Sequence, residues 1–183
     1  DFSSLDKNDI VSRISNECEN HKNPPPIYLI HGDLTLHEMS ALYNNEKIKC
    51  HISHTRGEGF GRPLLESTFT GKPVIAPKWG GQLDFLNKKQ SLLIPGQLKK
   101  VGAVNQYFCE NAKWFEVDES RSKEFMVDLY KNYDKYKNKS MQLREKNLKL
   151  FSKDEINLQY KTLLNERLPI KAETIEFNLP DLE

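Results

Sequence analysis

The chain has 183 residues, room for one ordinary domain and too few for two large ones. Lys+Arg is 27 against 26 Asp+Glu, a net charge of +1, which argues against nucleic acid or an anionic membrane as a partner chosen by bulk charge. Only 6 of the basic residues are Arg, and the apolar class is 37 %, so a compact core with polar helices or an open tail is expected.

Residues 5–21 place Leu5, Ile10, Val11, Ile14 and Cys18 near helical spacing, and Pro24-Pro25-Pro26 stop that helix. Ile27–Ile30 is a continuous apolar run of the kind a strand buried on both faces shows. Thr35 and Glu38 read as a capping box, opening a helix with Leu36, Met39, Leu42 and Tyr43 on one face. A short strand at 48–53 leads to the Gly-rich turn Arg56-Gly57-Glu58-Gly59-Phe60-Gly61. Pro63 suits the first turn of a helix running to Gly71, a C-cap signal.

Pro73–Ala76 is the next expected strand, Trp79-Gly80-Gly81 a turn, Asp84–Leu86 one helical turn, and Ser91–Ile94 a further strand. Residues 97–118 carry no clear pattern, although Lys113–Val117 is expected to be extended. Residues 119–136 read as helix. Segment 137–166 continues as polar helix, with Met141, Leu143, Leu148, Phe151, Ile156, Tyr160, Leu163 and Leu164 as core candidates. Segment 131–149 has seven basic and two acidic residues, read as a solvated face. The expected organisation is an N-terminal helix and Pro linker (1–26), a core (27–118), C-terminal helices (119–167) and an extended or disordered tail (168–183).

Strands alternating with helices imply right-handed crossovers and a Rossmann-like parallel sheet covered on both faces, an α/β fold. Ligands in such folds bind at the carboxyl ends of strands, which singles out 31–35, 54–62 and 77–82. Within 54–62, glycines let the backbone approach a ligand closely, and their N–H groups beside a helix start suit an anion. A carboxylate at Glu66 is able to accept two hydroxyl hydrogen bonds, as from a ribose. By itself such a turn is equally well a sharp turn and nothing more.

The histidines His31, His37, His51 and His54 lack a completing carboxylate or Cys, so no metal is expected. No G-x-S-x-G elbow supports a Ser53–His54–Glu58 triad, and neither a Rossmann G-x-G-x-x-G nor a P-loop is present. Cys18, Cys50 and Cys109 are odd in number and form no C-x-x-C, which suits a reducing, cytoplasmic compartment. No apolar run reaches a membrane span, and no signal segment opens the sequence. With Asp at position 1, the chain is expected to be processed, truncated or lacking its true start.

Residues 27–95 resemble the C-terminal, nucleotide-sugar-binding half of retaining glycosyltransferases of GT-B architecture, the group 1, family 4 type. The likeness is carried by Ile30-His31-Gly32-Asp33, by Glu38–Tyr43, by Glu58-Gly59-Phe60-Gly61 running through Glu66 to Gly71-Lys72-Pro73-Val74-Ile75-Ala76, and by Gly80-Gly81-Gln82-Leu83-Asp84. The resemblance implies a single GT-B half-domain with extra C-terminal helices. It implies transfer of a hexose from a UDP-, GDP- or ADP-sugar to a carbohydrate or other hydroxyl acceptor, with no cofactor or metal.

By the same resemblance Glu58 stands beside the donor sugar as the catalytic residue, and Glu66 holds the ribose. The N–H groups of Gly59, Phe60 and Gly61 hold the sugar or its diphosphate, and the turn at Gly32 and Leu34 contacts the base. His54, Arg62, Gly80 and Gly81 complete the donor set; Arg56 and Arg62 are open either to diphosphate or to a salt bridge with Glu58 or Glu66. The family's acceptor domain and its Gly-rich loop bearing an Arg and a Lys are not found before Ile27. A non-catalytic nucleotide-binding or protein-interaction module is therefore the alternative. Phe60 and Trp79 are expected to form an exposed patch that pairs with a second copy or a missing domain, or the tail is expected to extend over a neighbour.

Overall fold

The computed structural model describes residues 2–101 and 111–168, and the backbone forms two compact units, Asp1–Asn45 and Glu46–Glu183. The division falls inside the 27–118 segment. Cys109 and the tail beyond Leu168 lie outside the described residues.

The first unit holds α1 (Phe2–Glu19) and α2 (Leu36–Asn44). Helix α2 begins as its sequence dictates. Thr35 Oγ1 accepts from the Glu38 N–H at 3.2 Å, and Glu38 Oε2 accepts from the Thr35 N–H at 2.8 Å, satisfying two otherwise orphaned donors. The expected strand at Ile27–Ile30 is not formed. The run has no regular structure, and all four side chains are exposed, Tyr28 by 87 %. Apolar character marks what a sheet would bury but supplies no pairing partner, and the three prolines upstream withdraw N–H donors from any ladder.

The second unit is built on three parallel strands in the order β1 (His51–Ile52), β2 (Val74–Pro77), β3 (Leu92–Ile94). Register pairs His51 with Val74, Ile75 with Leu92 and Pro77 with Ile94. Side chains alternate across the sheet with period two. Val74, Ala76 and Leu93 pack on Leu64 and Leu65 of α3 (Arg62–Thr68), on Phe85 and Leu86, and on Leu143 of α5 (Tyr133–Leu150). On the other face Ile75, Leu92 and Ile94 pack on Leu129 of α4 (Glu119–Lys131), with Phe125, Tyr133 and Tyr136 around them. The sheet is thus covered by helices on both faces, as the alternation of elements predicts.

Lys113–Val117 is extended as expected, and it belongs to an antiparallel pair whose other strand carries no clear pattern in the sequence. β4 (Gly96–Lys100) runs against β5 (Lys113–Val117), with Gly96 opposite Val117 and Lys100 opposite Lys113. Every β4 residue is exposed and only Phe115 of β5 is buried, so neither strand shows the alternation that marks a half-buried pair.

The C-terminal segment is α4, α5 and α6 (Lys153–Arg167). Leu143 is buried as expected and Phe151 packs half-buried on the core, but Met141, Leu148, Tyr160, Leu163 and Leu164 are exposed, and in α6 Ile156 is only half-buried. The face of α5 that packs combines Leu143 with polar side chains. Lys137 Nζ donates to the Gly71 carbonyl at 3.0 Å, Arg144 Nε to the Phe69 carbonyl at 2.7 Å, and buried Asn147 Nδ2 to Thr68 Oγ1 at 3.0 Å. Positions 137, 140, 144 and 147 share one helical stripe. Two cations therefore sit against the carbonyl end of α3, where the helix dipole favours them. The expectation that 131–149 is wholly a solvated face is corrected at these two positions.

Asn147→Ala should cost about 2–3 kcal/mol in urea unfolding, because it strips the buried Thr68 hydroxyl and Phe85 carbonyl of a shared donor. The Tyr136 hydroxyl donates to the Asp128 carboxylate, joining α4 to α5. That bond, with a second from Asn132, holds the Asp128 carboxyl below its ordinary 3.8. A depressed carboxylate contributes stability that is present above the ordinary value and lost as pH falls through the folded one. Tyr136→Phe should therefore lower stability at neutral pH, and its deficit relative to the unsubstituted chain should shrink below pH 3.8 in acid titrations followed by circular dichroism.

Candidate functional site

In the second unit the expected site residues lie in the segments that leave the carboxyl ends of β1 and β2. The first leaves Ile52 and runs to Gly61. Gly61 has φ 85° and ψ 49°, the left-handed conformation that glycine adopts without a Cβ clash. Its carbonyl then accepts from the N–H groups of Leu64 and Leu65 at 3.0 and 3.1 Å, starting α3. Pro63 falls in the first turn, where its missing N–H costs nothing.

The second segment is the turn after β2. The Gly81 N–H donates to the Glu58 carbonyl at 3.0 Å. A Cβ at Gly81 would lie 1.9 Å from the Gly59 carbonyl oxygen and 2.9 Å from the Phe60 Cα. Gly80 and Gly81 therefore let one backbone seat directly against the other. Gln82, fully buried, clamps the turn from inside by donating to the carbonyls of Pro77 at 3.1 Å and Trp79. Its Oε1 has no hydrogen-bond partner among the described residues. The sequence motif Gly80-Gly81-Gln82 contains this residue but gives it no role, and its place directly after the two glycines is the signal for one.

Side chains hold the same loop. Phe60 packs on Phe85 and Phe151, centroids 5.2 and 5.7 Å away, yet remains 38 % exposed. The Arg56 carbonyl accepts from the Phe115 N–H of β5 at 2.9 Å, and the Arg56 guanidinium lies 4.0 Å from the Trp114 ring centroid. Trp79 stacks on Phe115. Phe60 and Trp79 thus belong to two different aromatic groups, each anchored on its own chain.

The two carboxylates differ. Glu58 is half-buried, and its carboxylate makes no hydrogen bond or ion pair among the described residues. Glu66, on α3, pairs through Oε1 with Arg62 Nε at 3.1 Å, one helical turn away. The Arg62 side chain is 78 % exposed and that of Glu66 40 %, so the pair is solvated and weak. His54 Nε2 lies 2.7 Å from Ser122 Oγ on α4. Gly32 and Leu34 lie in the first unit, in the segment before α2; Gly32 has φ 133° and Leu34 is exposed. Among the described residues no three His, Cys, Asp or Glu side chains converge, and no helix is long and apolar enough to cross a membrane.

The parallel sheet, its glycine-rich loop and the helices on both faces define a Rossmann-like α/β domain. The family model for glycosyl transferases group 1 matches residues 10–125, more than half of the chain, and the chain belongs to that family. No curated protein matches. Among solved structures the chain is similar to Anabaena HepE in complex with UDP-glucose (TM-score 0.60, 16 % identity, covering 87 % of this chain and 37 % of that one). A second HepE structure, with UDP and glucose, gives 0.53 at 17 % identity over 70 % and 30 %. Sucrose-phosphate synthase from Thermosynechococcus elongatus gives 0.57 at 20 % identity over 85 % and 33 %. These likenesses show a GT-B fold, and the chain spans about a third of the length of each.

Gly81→Ala should force the Glu58 loop off the turn after β2, at a cost on the order of 2–3 kcal/mol. Amide hydrogen exchange at 57–61 should accelerate, while exchange in α4 stays close to that of the parent chain.

Proposed function

We propose that this chain is the donor-binding part of a retaining, family 4-type hexosyltransferase, taking a UDP-, GDP- or ADP-sugar and passing the hexose to a hydroxyl acceptor. One observation carries the reading: a loop seated by backbone contact on the neighbouring turn holds Glu58 unpaired, and the helix it starts presents Glu66 half-exposed. Both follow β1 in the chain, and the carboxyl ends of strands are where α/β sheets bind ligands, which supports the reading. HepE, a structural neighbour, is seen in complex with UDP-glucose, which supports a nucleotide sugar as the ligand class.

In this reading Glu66 exchanges Arg62 for the two ribose hydroxyls, and the freed guanidinium turns to the diphosphate. Exposed ion pairs hold about 0–1 kcal/mol, whereas hydrogen bonds to a charged group contribute roughly 1.5–3 kcal/mol each, so the exchange is favourable. The N–H groups of Gly59, Phe60 and Gly61 face the diphosphate and sugar, Gly80 and Gly81 hold them in place, and His54 borders the sugar. Glu58 stabilises positive charge developing at the anomeric carbon as the diphosphate leaves. The acceptor is a carbohydrate or another hydroxyl compound, bound with help from a further domain or a second copy; the reaction uses no metal or cofactor, in the cytoplasm.

A second reading, a non-catalytic nucleotide-binding or protein-interaction module, draws on the Arg62–Glu66 pair, which leaves neither charge free. Calorimetry with UDP, GDP and ADP tests the first. At least one should bind saturably, and Glu66→Ala should weaken it by about ten- to a hundredfold. Absence of saturable binding for all three would overturn the donor reading. Sugar transfer measured with the same chain would exclude the module.

A further inference from the structure

Lys137 and Arg144 of α5 are engaged by carbonyls at the end of α3, but Lys139 and Lys146 line a different feature, an open cleft of about 640 Å³. Its other wall is the turn Asn87–Gln90, which leads into β3 and adds Lys88 and Lys89. Lys139, Gln142 and Lys146 share one helical stripe. The cleft thus gathers four lysines, and the rest of its lining is amide, with no carboxylate. None of these residues belongs to the candidate donor set. None of the four ammonium groups takes part in an ion pair among the described residues. Glu145, the carboxylate next to Lys146 in sequence, is bonded to Arg144 Nη1 at 2.8 Å.

The turn that supplies two of these charges is held in shape by other groups. Asn87 Oδ1 accepts from the N–H groups of Lys89 and Gln90 at 3.0 and 3.2 Å, and Asn87 Nδ2 donates to Gln90 Oε1 at 2.8 Å. Leu86 before the turn and Ser91 after it are buried. Across the cleft, Lys139 lies 5.9 Å from the Tyr136 ring centroid. Lys88 also crowds Lys78: side-chain hydrogen bonding with Lys88, and then its charge, hold the Lys78 ammonium below its ordinary 10.5. The backbone therefore keeps like charges near one another, and their repulsion is what a bound anion would relieve.

A single carboxylate would neutralise one charge of four, whereas a ligand with several phosphates meets them all. Lys is a point charge without the planar fork of Arg, so it suits phosphate oxygens approached from several directions. The volume falls in the range of small-molecule clefts, roughly 300–1,000 Å³. A net charge of +1 supplies no wider field to collect an extended polyanion such as nucleic acid. We infer that the cleft between Asn87–Gln90 and α5 binds a small molecule carrying several phosphate groups, at a site separate from the donor residues.

Calorimetry of the full chain with tripolyphosphate and with inositol hexakisphosphate tests this, in about 150 mM NaCl, where exposed charges more than about 8 Å apart are screened. At least one probe should bind saturably, one per chain. Lys88→Gln with Lys146→Gln removes one exposed charge from each wall and should weaken that probe about tenfold or more. Lys123→Gln with Lys161→Gln removes the same charge from exposed positions on α4 and α6 and should stay within about twofold. Circular dichroism of both double variants should match the parent, since all four side chains are exposed. Binding of neither probe, or equal weakening by the two double variants, would overturn the site. Binding confined to phosphatidylserine vesicles would overturn it as well, by making the lysines a membrane surface. Loss of UDP, GDP or ADP binding in the Lys88 and Lys146 variant would do the same, since the cleft would then be part of the donor site. The donor reading fails separately, by the absence of nucleotide binding to the parent chain.

Discussion

The contact on which the rest of the site depends is backbone against backbone. Gly81 approaches Gly59 so closely that even a methyl group would overlap the carbonyl oxygen, and its N–H is bonded to the Glu58 carbonyl. This joins the loop after β1 to the turn after β2 without using a side chain of either. Loops at the carboxyl ends of strands are ordinarily the mobile part of an α/β fold. Here the one that bears Glu58 takes its position from β2, a strand buried along its whole length. Glu58 can then remain unpaired at a fixed place, because its position does not depend on a bond from its own carboxylate.

A second set of contacts fixes the helix that the loop starts. Seven residues of α3 would have little stability alone, since isolated helices shorter than about 12 residues are marginal. The buried Ser67 and Thr68 hydroxyls return to the Leu64 and Leu65 carbonyls, and α5 closes the carbonyl end with Lys137, Arg144 and Asn147. The helix bearing Glu66 is therefore held at its start by Gly61 and at its end by side chains about seventy residues further on. Phe151, just past α5, extends the same support to Phe60, so helix and loop share one scaffold.

What was legible in the sequence follows the range of the interactions. The capping box at Thr35 and Glu38, the Pro63 start and the buried strands β2 and β3 are set by residues within a few positions of each other. Each of them appears in the structure. The run Ile27–Ile30 has the composition of a buried strand but no ladder partner, and pairing is a long-range property that composition does not carry. β4 was hidden for the converse reason: its exposed lysines and glutamine give no alternation, although its partner Lys113–Val117 was expected to be extended. In α5 hydrophobic spacing marked Leu143, which is buried, but also Met141 and Leu148, which are exposed, while the polar Lys137, Arg144 and Asn147 that share the contact carried no such signal. Of the candidate site, the motif from Glu58 to Glu66 was visible by resemblance. Gln82 and the hairpin behind Trp79 were not, because they act through carbonyls and ring faces brought from elsewhere.

The same geometry explains why the two carboxylates can differ in character on so short a segment. Glu66 rides on a helix, one turn from Arg62, where an i,i+4 pair forms at the surface and is screened by water. It has a cation to release and solvent to release it into. Glu58 precedes the helix on a strapped loop, with no cation paired to it among the described residues, half-shielded by the backbone that seats it. A charge so placed keeps its electrostatic reach for whatever positive charge arises in front of it, since no neighbour has already neutralised it. Exchangeable pairing at one position and enforced isolation at the other thus both follow from where Gly61 starts the helix.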